Sequence, residues 1–160
     1  MVAIPDDDTL IGVFHNITST MLSLDSQSCA AIQTAAQKKD LLYCTGVLAM
    51  PGPTPITVAV SSDLQGCTQL ASALFAVEPT DVEIDMIGDT MAELSNMFAG
   101  QLKGFLNLSQ NLGLPKVFTQ GEFGESVDDD RWRHMPVELG NSRLLLSLTT
   151  EADIVGNYIA

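Results

Sequence analysis

A chain of 160 residues, 46% of them apolar, has the size and content for a single core, and one domain spanning residues 1–160 is expected. The formal net charge of -13, with a pI near 4.1, argues against nucleic acid and anionic membrane surfaces, which select Lys and Arg. No apolar run approaches the roughly 18–20 residues that a membrane span requires, so a soluble protein with a protein or small-molecule partner is expected.

Three cysteines, Cys29, Cys44 and Cys67, form no C-x-x-C pair, and Met-Val-Ala-Ile-Pro runs into Asp6-Asp7-Asp8 without the pattern of a secretory leader. Both features point to a reducing cytoplasm. Leu10, Phe14, Ile17 and Met21 then recur at helical spacing, which predicts an amphipathic helix from about Asp8 to Ser23. The three aspartates suit its N-terminus better than they suit a metal. From Ser26 to Lys39 the pattern is weak and allows an irregular edge strand or a loop.

Leu41–Met50 and Ile56–Ser61 read as two strands joined by Pro51-Gly52-Pro53-Thr54-Pro55, an antiparallel hairpin with a stiff connection. Ser62-Asp63-Leu64-Gln65 has the form of a capping box and opens a helix to about Ala76. A second box, Thr80-Asp81-Val82-Glu83, opens a long central helix expected to reach Leu112, a rod of about 45 Å, with Gly113 and Pro115 ending it. Strands follow at Lys116–Thr119, about Arg131–Leu139 and Ser142–Thr150, and Asp128-Asp129-Asp130 is read as a solvated hairpin tip.

The central helix is the informative stretch. At about 100° per residue, Asp89, Glu93, Asn96, Gly100, Lys103, Gly104 and Asn107 share one narrow polar arc, while Met91, Leu94, Phe98, Leu102, Phe105 and Leu106 form the opposite apolar stripe. An outer face made of carboxylate, amide and glycine departs from the usual Lys/Glu mixture. Glycine costs a helix about 1 kcal/mol relative to alanine, so Gly100 and Gly104 suggest the close approach of another surface.

The common catalytic sets are poorly supplied. His15 and His134 lie far apart in sequence, which favours neither a histidine triad nor a zinc site, and His134 is expected on a strand surface. G-x-S-x-G, P-loop and G-x-G-x-x-G motifs are absent. The cysteines have no basic neighbour in sequence and read as buried and structural. Glu93 and Asn96, three residues apart, are neighbours on a helix surface. The pair alone is weak evidence, since Glu-x-x-Asn arises by chance in roughly one chain of this length in three.

The longer string is more specific. Asp89-x-x-x-Glu93-x-x-Asn96-Met97-x-x-Gly100, followed by Leu114-Pro115-x-Val117 and Gly121, resembles the CheX-like group of the CheC, CheX and FliY chemotaxis phosphatases. The order of elements follows that group over nearly the whole chain. The resemblance implies an α/β domain of the α+β type, with helices laid on an antiparallel sheet, acting on the aspartyl phosphate of a phosphorylated CheY-like response regulator. It assigns Asn96 to orienting the attacking water and Glu93 to pairing with the regulator's active-site lysine. Asp89, Gly100 and Lys103 are then partner-binding positions. No cofactor or metal is expected on this chain, Mg2+ belonging to the regulator, and members of this kind can form homodimers.

The residue types fit that chemistry. An amide can both donate to and accept from a water without adding negative charge beside a phosphoryl group, much as a glutamine does in GTPases. The rival readings are a non-catalytic adaptor that docks a regulator on the same fold, and a polar stripe that merely faces solvent.

Overall fold

The computed structural model describes residues 2–119 and 121–159. In them six strands form one antiparallel sheet: β1 (Ser26–Ser28), β2 (Cys44–Met50), β3 (Ile56–Ser62), β4 (Lys116–Thr119), β5 (Arg133–Leu139) and β6 (Ser142–Thr149), in the spatial order β1-β5-β6-β3-β2-β4. Among the described residues five α-helices accompany it: α1 (Asp7–Met21), α2 (Ala35–Lys39), α3 (Leu64–Phe75), α4 (Ile84–Phe105) and α5 (Ala152–Asn157). The architecture is the expected α+β one, helices packed on an antiparallel sheet.

Alternation along the strands divides the core into two layers. Cys44, Leu48 and Met50 of β2, Ile56, Val58 and Val60 of β3, and Leu144, Leu146 and Leu148 of β6 pack against α1, α3 and α4. Val47, Ala59 and Leu145 point to the other face, where Leu41, Leu42, Phe123, Trp132 and Ile154 cover them. Burial on both faces explains why β2 and β3 are apolar or small throughout and show no clean polar alternation.

β2 and β3 form the predicted antiparallel hairpin, with a register that runs from Cys44 opposite Ser62 to Met50 opposite Ile56. The unsettled stretch after α1 becomes the short edge strand β1, paired to β5, and the single turn α2, whose Thr34 and Gln37 form a capping box. The N-cap of α3 is Asp63, whose carboxylate accepts from the Gly66 N–H, one residue inside the expected box.

The central helix differs from expectation at both ends. Pro79–Asp81 form a 3-10 turn, and α4 starts only after Glu83. At its other end Asn107 adopts φ +55, with the Leu108 N–H donating to the Lys103 carbonyl and the Asn107 N–H to that of Gly104. This is a Schellman stop with Asn in the left-handed position, and it halts the helix seven residues before Leu112. The 22 residues of α4 span about 33 Å.

The acidic run is no hairpin tip. β4 pairs with β2 at one edge of the sheet, whereas β5 lies beside β1 and β6 toward the other. The connecting chain therefore crosses behind the sheet. Asp128 pairs with Lys39 at 2.6 Å, and Asp129 with Arg131 at 2.9 Å, so two of the three carboxylates bind cations along that crossing.

Candidate functional site

The position of α4 is fixed from below. Ile87, Met91, Leu94, Phe98, Ala99 and Leu102 are buried against the sheet and its neighbouring helices. Beneath Met91 lies Gly46 of β2, where an added Cβ would stand 2.1 Å from the Met91 carbonyl oxygen, so the close approach of helix to sheet depends on glycine there. Phe98 meets Phe14 of α1 edge to face, with ring centroids 5.7 Å apart, which holds α1 alongside. The buried hydroxyls of Thr90 and Ser95 donate to the Met86 and Ala92 carbonyls, leaving no polar group on the inner face unpaired.

The opposite face is presented. Asp89 and Glu93 are exposed, and Asn96, Gly100 and Lys103 are partly buried along the same ridge. Among the described residues the side chains of Asp89, Glu93, Asn96 and Lys103 have no hydrogen-bond or ion-pair partner. Asp85, Asp89 and Glu93 repeat every four residues and make the N-terminal half of the ridge acidic, while the amide of Asn96 and the glycines make the middle neutral.

Hollows flank the ridge. A groove of about 530 Å³ runs between α1 and α4, lined by Asn16, Ile17 and Met21 on one side and Asn96, Met97 and Gly100 on the other. A second, of about 570 Å³, lies where Asp89 and Gly88 approach Tyr43 and Val117. The residues after α4 thus return to it: Val117 of β4 comes within 3.9 Å of where a Gly88 Cβ would be. Gly121, at φ +82, donates its N–H to the Leu42 carbonyl.

Sequence reasoning missed the contribution of α1 to this region. Nothing local points Asn16 and Met21 toward Asn96: their meeting depends on how two helices pack, which periodicity within either helix does not specify.

The remaining reactive side chains lie elsewhere. His134 does not stand on an open strand surface as expected. It is half-buried, its Nε2 2.9 Å from the Ser126 carbonyl, its Nδ1 2.7 Å from the Ser147 hydroxyl, and its ring stacked on Trp132. Burial holds its pKa below the ordinary imidazole value. Cys29, Cys44 and Cys67 are buried thiols; burial pushes the Cys44 pKa up to about 11 and raises that of Cys67 as well. That is the opposite of nucleophile activation. Among the described residues no three His, Cys, Asp or Glu side chains converge in a way that could hold a metal ion. No helix is long and apolar enough to cross a membrane among the same residues.

The profile of the family described as "Chemotaxis phosphatase CheX" matches residues 44–133, a span that includes the whole of α4. The chain belongs to the CheX family. Solved structures agree in fold. The chemotaxis protein CheX of Vibrio vulnificus superposes with a TM-score of 0.70 at 16% identity, covering 94% of this chain and 100% of that one. The CheX of Desulfovibrio desulfuricans gives 0.65 at 14%, covering 89% and 96%. A CheX solved as a CheX-CheY-BeF3-Mg+2 complex from Borrelia burgdorferi gives 0.65 at 12%, covering 92% and 98%. The curated proteins contain no significant match to the chain. Identities this low speak for the fold, and CheX membership places that fold in a family of chemotaxis phosphatases.

Proposed function

We propose that this chain accelerates hydrolysis of the aspartyl phosphate on a CheY-like response regulator, with Asn96 and Glu93 as the working pair. The observation that carries the proposal is the ridge of α4. A neutral amide and a carboxylate one turn apart project from it with no intramolecular partner, on a helix whose other face is locked to the sheet.

An aspartyl phosphate is an activated mixed anhydride. The regulator itself supplies a divalent cation and a lysine against the phosphoryl oxygens, so the element lacking is an oriented water. The Asn96 amide can accept a hydrogen bond from that water and donate another to it or to a phosphoryl oxygen, at no cost in added negative charge. The water oxygen then bonds to phosphorus, and the P–O bond to the aspartate breaks with its electron pair returning to the carboxylate. The water's protons leave with the inorganic phosphate. Glu93 makes a charge-assisted bond to the regulator lysine, which fixes how deeply Asn96 enters the partner's site. Asp89 continues the acidic surface toward the same basic region, Gly100 leaves room for the partner's backbone, and Lys103 presents a cation at the far end of the ridge.

The direct test is phosphate release from phosphorylated regulators of the same organism with and without this protein. Acceleration of release for at least one regulator is expected. Binding to a regulator with no acceleration would replace the phosphatase by an adaptor on the same fold.

A further inference from the structure

The groove between α1 and α4 is left unused by the chemistry above, although Asn96 forms part of its wall. Its composition differs from the rest of the ridge. Ile17, Met21, Met97 and Leu112 supply apolar walls, Asn16 and Asn96 supply amides, and none of its lining side chains carries a charge, on a protein whose net charge is -13. Met21 is 56% exposed within it, an apolar group that the fold does not cover. Nor does the chain's own packing require the opening. A Cβ added at Gly100 would meet only Leu112 Cδ1, at an ordinary 3.9 Å.

We propose that this groove receives an uncharged, apolar side chain of the response regulator, beside its phosphorylated aspartate, and thereby selects among regulators. The inference rests on the proposed docking of a regulator at Asn96. A partner that brings its phosphoryl group to that amide comes beside the groove, because Asn96 is part of the groove's wall. Toward the other end, Asp85, Asp89 and Glu93 suit a basic contact; here the absence of charge suits an apolar one. The two ends together fix the direction in which the regulator lies along α4. Unbranched methionine walls adapt to the shape of the inserted side chain, whereas a charged side chain entering the groove would lose its hydration with no counter-ion to meet it. Rejection of charge is therefore the selective element.

The test measures binding of the Mg2+–beryllofluoride form of the regulator, a phosphoryl mimic, so that turnover is not needed. Met21→Glu and Met21→Lys are compared with wild type, and Phe75→Glu and Phe75→Lys on α3, also exposed, correct for long-range charge. The expected result is that both Met21 variants weaken binding at least tenfold beyond their Phe75 counterparts. Tightening by either sign would show a charged occupant, and equal binding by all variants would place the groove outside the interface; each overturns the proposal and leaves the phosphatase reading intact. A wild type that binds no activated regulator overturns both.

Discussion

Gly46 of β2 lies directly beneath the peptide group of Met91, so close that a single methyl would collide with the helix backbone, 2.1 Å from the carbonyl oxygen and 2.5 Å from its carbon. Met91 is two residues before Glu93, and the contact sets the height of the ridge above the sheet. Backbone cannot swing aside as a flexible side chain can, so Gly46→Ala should force α4 outward. The expected cost is about 1–3 kcal/mol, read as a lower midpoint in urea unfolding, together with slower phosphate release.

The glycines of the ridge predict the opposite sign. Gly104 has open space around its missing Cβ, so Gly104→Ala should stabilise the protein by about 0.5–1 kcal/mol through helix propensity. Gly100→Ala is also sterically permitted within the chain and should not destabilise it, yet should raise the regulator concentration needed for half-maximal activity. Unfolding curves and a concentration series on the same two variants check both statements.

His134 predicts a pH dependence of stability that is separate from activity. Its folded pKa lies below the ordinary 6.5 because burial disfavours the imidazolium, with the Ser126 hydrogen bond opposing and the Lys38 charge assisting. The unfolded chain therefore binds a proton before the folded chain does. The stabilisation is complete above about pH 6.5 and declines as pH falls through that value toward the lower, folded one. Urea midpoints between about pH 7 and 5 should fall for wild type and fall less for His134→Gln.

Much of the fold and of the ridge was legible because the signals were local. The strand–Pro-rich turn–strand pattern of residues 44–62 and the spacing of Met91, Leu94, Phe98 and Leu102 each required only neighbours in sequence. The end of α4 is not legible locally, because Asn107 takes the left-handed position more often given to Gly, while Gly113 and Pro115 mark a stop further along the chain. The place of the Asp128–Asp130 segment is not local either, because pairing of β4 with β2 and of β5 with β6 is a property of the whole sheet. The same holds for the rear layer, in which Phe123, Trp132 and α5 cover Val47 and Ala59, and for His134, whose burial follows from that layer. The contribution of α1 to the groove was hidden for the same reason.

Glu93→Gln separates contact from chemistry. It retains size and hydrogen-bonding capacity while removing the charge proposed to meet a lysine. Weaker binding that is less sensitive to added salt than that of wild type is the expected outcome, since the lost term is an ion pair while Asp85 and Asp89 remain. A salt response identical to wild type would assign the contact to another carboxylate of the ridge.

The proposed role of the amide is tested most directly by phosphate release at saturating regulator for Asn96→Ala beside wild type. Asn96 is partly exposed and has no hydrogen-bond partner among the described residues, so the variant should fold normally and still bind the beryllofluoride form. The accelerated rate should fall on the order of 100-fold, toward the regulator's own spontaneous loss. Acceleration that persists undiminished would contradict the account.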